Sequence, residues 1–343
     1  MADERKPAKS KSNKGVDVGD LVERIKESAE KLVSDGTSRG DLKLLSRALR
    51  ELRYGFKVFR PYRRRRKVTV FGSARTHETA PAYAQAVEFG KAMAEKNWLV
   101  VTGAASGIME AGHRGAGREN SMGLNIMLPF EQEANPVILG DEKLVNMKYF
   151  FTRKVMFVKE CDAVVCLPGG FGTLDEALEV LTLLQTGKRD MVPVVLLDAP
   201  GSDYWQMFDD FITKRLLRDG MISPQDLALY KLTDDCQFAI NEVLEFYKVY
   251  HSMRYVRNKL LLRLQARPSD QLMSEINEHF HDILNQGDFQ LSGPLPEEDE
   301  PELAELTRLV FHFNRRSLGK LRLLIDCLNA GSLEPAHQMR VIH

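Results

Sequence analysis

Cysteine is scarce: four residues in a chain of 343, Cys161, Cys166, Cys236 and Cys327, with no Cys-x-x-Cys pair. That sparsity excludes a disulfide framework and leaves no zinc-ligand spacing, so the thiols read as reduced and the chain as cytoplasmic. No apolar run approaches the roughly 18 residues of a membrane span, and the opening "MADERKPAKSKSNKG" lacks the apolar centre of a signal peptide. Net charge is absent too, with 48 basic residues against 48 acidic ones. Nothing in the bulk charge therefore steers the chain toward nucleic acid, a membrane or an acidic partner. The phosphate-binding pattern GxxxxGK[ST] is missing, and "GGFGTLDE" carries Asp175 where GxGxxG needs its third glycine, which argues against a triphosphate hydrolase or a dinucleotide dehydrogenase. The histidines of "HFH" (279–281) are two apart and face different sides of a helix. No metal and no organic cofactor are expected.

What is present is core-forming material, 43% hydrophobic residues, enough for one substantial core plus a smaller unit. Residues 1–15 are rich in Lys, Ser and Pro and read as a disordered arm. Over 16–66, Leu21, Ile25, Ala29 and Leu32, then Leu42, Leu45, Leu49 and Leu52, recur at spacings of three and four. This predicts two amphipathic helices whose apolar stripes need a docking surface, followed by a basic linker. From 67 to 250 the runs "KVTVFGSA", "WLVVTGA", "GLNIML", "AVVCLPG" and "VPVVLLD" alternate with helical stretches near 81–96, 107–119, 149–160 and 173–186. That order predicts βαβ units in a parallel sheet, with ligands outside the carboxyl ends of the strands. "LALYKLTDD" (227–235) offers a sixth strand, and residues 251–343 read as an α-helical extension.

Two segments invite a ligand. In "CLPGGFGTLDEALEVL" (166–181), Gly169, Gly170 and Gly172 suit a chain leaving a strand with positive φ, and backbone amides at the following helix start can face an anion. The same residues spell a capping box, with Thr173 at N-cap and Glu176 at N3, which needs no ligand. "TGAASGIMEAGHRGAG" (102–117) repeats the arrangement of strand, small residues and helix start, with Gly103, Gly107 and Glu110. Two such loops on parallel strands can face one phosphate-bearing molecule.

"PGGFGTLDE" matches the PGGxGTxxE motif, and with "FGSAR", "TGAASGIMEAGHRGAG", "GLNIMLPFEQEANP" and "YFFTRKVMF" the chain resembles, over residues 67–245, the Lonely Guy family of cytokinin-activating phosphoribohydrolases and related nucleotide 5'-monophosphate nucleosidases. The resemblance implies a Rossmann-like doubly wound α/β parallel sheet, here with N-terminal and C-terminal α-helical extensions. It also implies a homodimer or higher homo-oligomer, and hydrolysis of the N-glycosidic bond of a nucleoside 5'-monophosphate, AMP or a cytokinin-type riboside monophosphate. Carried onto this chain, the catalytic pair falls on Arg153 and Glu176, and the phosphate-holding residues on Gly169, Gly170, Gly172 and Thr173. One departure stands out: Gly103, Ala104 and Ala105 occupy a position where many relatives have three glycines.

The chemistry agrees. Breaking a ribosyl–base bond builds an oxocarbenium-like sugar that a carboxylate can stabilise while activating water. A helix N-terminus favours ionised Glu176, and Arg153 keeps its proton, leaving it to grip or position. Ser73 follows the first strand where ligands bind, although serine is also an ordinary turn residue. Glu110 suits ribose hydroxyls or simply a helix's first turn. Lys154, about 100° round the helix from Arg153, is expected at the surface, and His113 is expected to pack. The basic "RPYRRRRKV" (60–68) and acidic "PEEDEPEL" (296–303) read as solvated or mutually bridging rather than as a nucleic-acid site. The competing reading is a non-catalytic carrier or sensor of a nucleotide or phosphorylated cofactor. Such a binder needs the glycine loop but has no use for a carboxylate against the sugar.

Overall fold

A computed structural model describes residues 18–128 and 133–337; the expected arm at 1–15 lies outside them. The described chain divides into two units, one ending at Arg53 and one beginning at Tyr54. The first holds α1 (Gly19–Ser34) and most of α2 (Arg39–Phe59), the amphipathic helices that the spacing predicts. α1 buries none of its residues, and Leu21, Ile25 and Leu49 are exposed.

The second unit is built on a seven-stranded parallel sheet in the order β4-β3-β2-β1-β5-β6-β7. Its strands are β1 (Lys67–Phe71), β2 (Leu99–Thr102), β3 (Ser121–Ile126), β4 (Leu144–Met147), β5 (Ala163–Cys166), β6 (Val194–Leu197) and β7 (Lys231–Thr233). Every residue of β1, β2, β5 and β6 is buried. That is why these strands read as Val-rich, mostly apolar runs. The crossovers carry α3 (Pro81–Glu95), α4 (Ile108–Ala116), α5 (Phe150–Glu160), α6 (Phe171–Gln185) and α7 (Tyr204–Phe211), and α8 (Cys236–Glu245) follows β7. Strand β4 is not foreseen by the sequence; its four residues "LVNM" sit at the sheet edge and carry too short a pattern.

The C-terminal part corrects the expectation of an α-helical extension. It is a four-stranded antiparallel sheet, order β10-β11-β9-β8, carrying α9 (Asp270–His279) and α10 (Leu318–Ala330). The strands are β8 (Tyr250–Val256), β9 (Lys259–Leu264), β10 (Leu284–Ser292) and β11 (Thr307–Phe313). "KLLLRL" is rich in good helix formers, but a two-residue turn with Arg257 at φ 56° folds β9 back onto β8, and pairing overrides propensity. Arg263 and Arg308 lie directly opposite each other on β9 and β11. Glu298 reaches in between: Arg263 donates to its Oε2 at 2.9 and 2.8 Å, and Arg308 Nε donates to its Oε1 at 2.9 Å. The acidic segment expected in solvent is thus pinned by a fully buried carboxylate.

At the amino ends of β1 and β5, the Arg66 guanidinium stacks 3.4 Å from the centre of the Tyr247 ring, donates to the His251 carbonyl at 3.2 Å and pairs with Asp162 at 3.3 Å. The end of the basic run is therefore a brace rather than a solvated linker. No helix among the described residues is long and apolar enough to cross a membrane.

Candidate active site

Three loops meet at the carboxyl ends of β2, β1 and β5. The chain runs from β1 outward to β4, then returns to place β5 on the other side of β1, so β1 and β5 flank the switch point at which open α/β sheets bind ligands. Ser73, just past β1, is held from both sides: its amide donates to Pro168 O at 3.1 Å and its carbonyl accepts from Ile108 N at 3.0 Å. Gly107 has φ 62°, and an added Cβ there would lie 2.3 Å from Ser73 O. Only glycine fits both the conformation and the gap. The Ser73 hydroxyl accepts from Arg75 N at 3.0 Å, an ordinary serine turn.

The loop 168–173 differs from expectation in two ways. Gly169, Gly170 and Gly172 are not among the residues with positive φ. Gly169 is required by contact instead: a Cβ there would sit 2.2 Å from Thr173 Oγ1 and 3.0 Å from Ser73 N. At Gly170 and Gly172 a Cβ would meet no atom of the chain within 4 Å. Secondly, α6 starts at Phe171 with Gly170 as N-cap, so the Thr-x-x-Glu capping box does not form. Thr173 is the third helical residue and Glu176 lies in the second turn. Thr173 N and Leu174 N donate to Gly170 O at 3.0 and 3.2 Å, while the amides of Phe171 and Gly172 have no acceptor within their own helix and aim out of its N-terminus. Tyr204, at the start of α7, donates its hydroxyl to Gly169 O at 2.6 Å, a contact no sequence pattern announced.

Glu176 is almost fully buried. Its Oε1 lies 3.7 Å from Arg153 Nη2 and its Oε2 lies 3.4 Å from Lys154 Nζ. Burial raises its pKa, while Lys154 and then Arg153 pull it back toward the ionised form. Arg153 is buried between the rings of Phe150 and Phe157, at 5.1 and 5.7 Å. Its Nε has no hydrogen-bond partner among the described residues. An added Cβ on Gly103 would lie 3.6 Å from Arg153 Nη1, which brings the loop after β2 against the Arg153–Glu176 pair. Lys154 is not a surface lysine; only 18% of its side chain is exposed, and it pairs with Asp175, Glu176 and Glu179. Two long side chains 100° apart on α5 still converge on one carboxylate.

Glu110 pairs with Arg114 at 2.8 Å, and Arg114 also grips Glu78 through two nitrogens, each at 2.9 Å. Its carboxylate thus already has a cation. His113 is buried, its pKa pushed down to about 4 by desolvation, and it contacts Thr102 Oγ1 at 3.1 Å and Met122 O at 3.0 Å. It packs as expected. Ala104, at the departure from triple glycine, has φ 62°, a conformation alanine adopts only at a cost. Cys166 lies below Glu176, and burial first, then that charge, raises its thiol pKa far above the ordinary value; it is no nucleophile. Among the described residues no group of His, Cys, Asp and Glu forms a metal site. Phe150, Phe151 and Val155 on α5, with Phe171 and Leu178 on α6, leave an apolar surface exposed beside the site.

A probable cytokinin riboside 5'-monophosphate phosphoribohydrolase of Oryza sativa subsp. japonica is 32% identical over 211 residues, covering 60% of this chain and 82% of the relative. The chain belongs to the cytokinin riboside 5'-monophosphate phosphoribohydrolase family, the Lonely Guy family. A second rice member, also named as a probable phosphoribohydrolase, is 34% identical over 164 residues, and the match covers 63% of its length. An Arabidopsis thaliana cytokinin riboside 5'-monophosphate phosphoribohydrolase is 32% identical over 164 residues, 46% of this chain and 73% of that protein. The family model described as "Possible lysine decarboxylase" matches residues 102–243. Among solved structures, a molybdenum cofactor binding protein of Rippkaea orientalis aligns over 52% of this chain and 94% of its own, at 18% identity and a TM-score of 0.37. Residues 102–243, matched by that family model, include Arg153 and Glu176.

Proposed function

We propose that the protein hydrolyses the N-glycosidic bond of a nucleoside 5'-monophosphate, AMP or a cytokinin-type riboside monophosphate, to free base and ribose 5-phosphate. The observation that carries this reading is the buried Glu176, set beside a helix N-terminus and held between Arg153 and Lys154. The 5'-phosphate lies against Gly170, Gly172 and the first amides of α6, where negative charge is favoured and no Cβ intrudes. Ser73, Gly103, Gly107, Thr173 and Glu110 shape the pocket around it. The ribose then faces Glu176. As the bond to the base lengthens, positive charge grows on the sugar, and the carboxylate stabilises it and takes the proton of the attacking water. Water supplies the new oxygen at the anomeric carbon, the base takes a proton from solvent as it leaves, and Glu176 returns the water's proton to solvent. Arg153 stays protonated and orients the substrate and Glu176.

The exposed apolar row on α5 and α6 supports a homodimer or larger homo-oligomer with the site at its edge. Four free, buried cysteines suit a cytoplasmic location. Incubation with AMP, GMP, CMP, UMP and isopentenyladenosine monophosphate, followed by chromatography, tests the activity. Base and ribose 5-phosphate form with the wild type and not with Glu176→Gln or Arg153→Ala that remain folded. Nucleotide binding without release from any substrate would replace the hydrolase by a carrier or sensor.

A further inference from the structure

Lys154 has three acidic partners in the space of one turn of α6. Its ammonium lies 2.9 Å from Asp175 Oδ2, 2.8 Å from Glu179 Oε2 and 3.4 Å from Glu176 Oε2. Asp175 and Glu179 are four residues apart and so share a helix face; they hold the lysine head on both sides of its approach to Glu176. Arg153 meets the other oxygen of the same carboxylate at 3.7 Å. The two cations on α5 therefore divide the two oxygens of Glu176 between them. We propose that Lys154 is a positioning residue for Glu176, fixing the carboxylate's orientation and keeping it ionised inside the site. This inference rests on the hydrolase reading for its effect on rate, but not for its effect on Glu176 itself.

The charge balance is tight. Facing Glu176 are Arg153 and Lys154 from α5, Asp175 and Glu179 from its own helix, and the neutral Cys166 thiol from β5. With Lys154 present, two cations meet three carboxylates. Without it, Arg153 at 3.7 Å is the cation left beside buried Glu176, whose charged form burial disfavours, and Glu176 takes up its proton at higher pH. A protonated Glu176 neither stabilises a sugar cation nor accepts a proton from water.

Lys154→Met keeps the stem and removes the charge, and Lys154→Arg restores it. The titration of Glu176 is followed by carbon NMR of glutamate-labelled protein, with Glu176→Gln assigning the signal. In parallel, kcat and KM for the best-cleaved monophosphate are measured from pH 5 to pH 9. In Lys154→Met, Glu176 titrates at higher pH than in the wild type. The acidic limb of kcat moves the same way, and kcat below that limb falls about tenfold or more while KM changes little. Lys154→Arg brings both back toward the wild type. An unmoved Glu176 titration overturns the proposal, as does an acidic limb of kcat that stays at its wild-type pH. If the wild type releases no base from any nucleotide, the hydrolase reading falls, and the NMR titration still decides what Lys154 does. Lys154→Gln takes the place of Lys154→Met if the latter does not fold.

Discussion

Two neighbouring glycines, one residue apart in sequence, should fail in opposite ways when replaced by alanine. At Gly169 the new methyl carbon would lie 2.2 Å from Thr173 Oγ1, 2.7 Å from Thr173 Cβ and 3.0 Å from the backbone nitrogen of Ser73. The hydroxyl can turn away, but the Thr173 Cβ and the Ser73 backbone cannot, because Ser73 is bonded to Pro168 and Ile108. Overpacking of this kind costs about 1–3 kcal/mol, and the melting temperature drops by roughly 2–4 °C per kcal/mol in a unit of this size. At Gly170 the backbone is extended, with φ −86° and ψ −161°, and no atom stands within 4 Å of an added Cβ. Gly170→Ala should leave stability within about 0.5 kcal/mol of the wild type, or raise it slightly by stiffening the unfolded chain. Its damage falls on the ligand: a methyl group at the mouth of α6 holds the phosphate away from the amides, and KM rises about tenfold or more. Thermal melts together with KM from the base-release assay separate the two. A Gly170→Ala protein that melts as low as Gly169→Ala would refute the packing argument, and one with the wild-type KM would remove the phosphate from this loop.

Burial opposes ionisation of Glu298, but Arg308, the Leu295 amide and Arg263 outweigh it and bring the carboxyl down to about 2 from an ordinary 4.5. Its contribution is therefore present above the ordinary value and lost as pH falls toward 2, so Glu298→Gln should cost about 3 kcal/mol at pH 7 by denaturant unfolding, with the gap closing in acid. A gap that persists at pH 3 undiminished would show that charge is not its source. Ala104→Gly should stabilise the fold by about 1 kcal/mol, since φ 62° strains alanine; a lower melting temperature contradicts this. Tyr204→Phe removes the donor to Gly169 O and should cost about 0.5–1.5 kcal/mol in stability together with a raised KM. If the proposed homo-oligomer forms through the apolar row of α5 and α6, Val155→Glu and Phe171→Asp should lower the mass seen in sedimentation; unchanged mass would remove that row as the interface.

The parallel sheet was legible because every residue of β1, β2, β5 and β6 is buried, which leaves Val-rich runs with turn signals such as glycine after them. Arg153 and Glu176 were legible through a motif, and the structure brings them together. Lys154 was not, because the 100° rule describes where a side chain leaves the helix and not where a flexible four-carbon stem ends. The capping box misled because Thr-x-x-Glu occurs inside helices as readily as at their starts, and only the backbone of Gly170 decides. In the C-terminal sheet, Leu-rich β9 offered a helical composition, while its partner β11 lies more than forty residues away and leaves no local mark. Glu298 read as solvated for the same reason: the arginines that bury it are on other strands.

The brace at the foot of the sheet sets an order of events for the growing chain. Arg66 immediately precedes β1, the central strand, yet its hydrogen bond to His251 spans 185 residues of sequence. Closing a loop of that length costs entropy before any contact offsets it. During synthesis Arg66 can pair with Asp162 early, but its stacking on Tyr247 and its bond to His251 wait until that later segment has left the ribosome. Nascent chains in which Tyr247 and the β8–β9 hairpin are still inside the ribosome should be recognised by proteases and chaperones, and chains lengthened until both have emerged should be released.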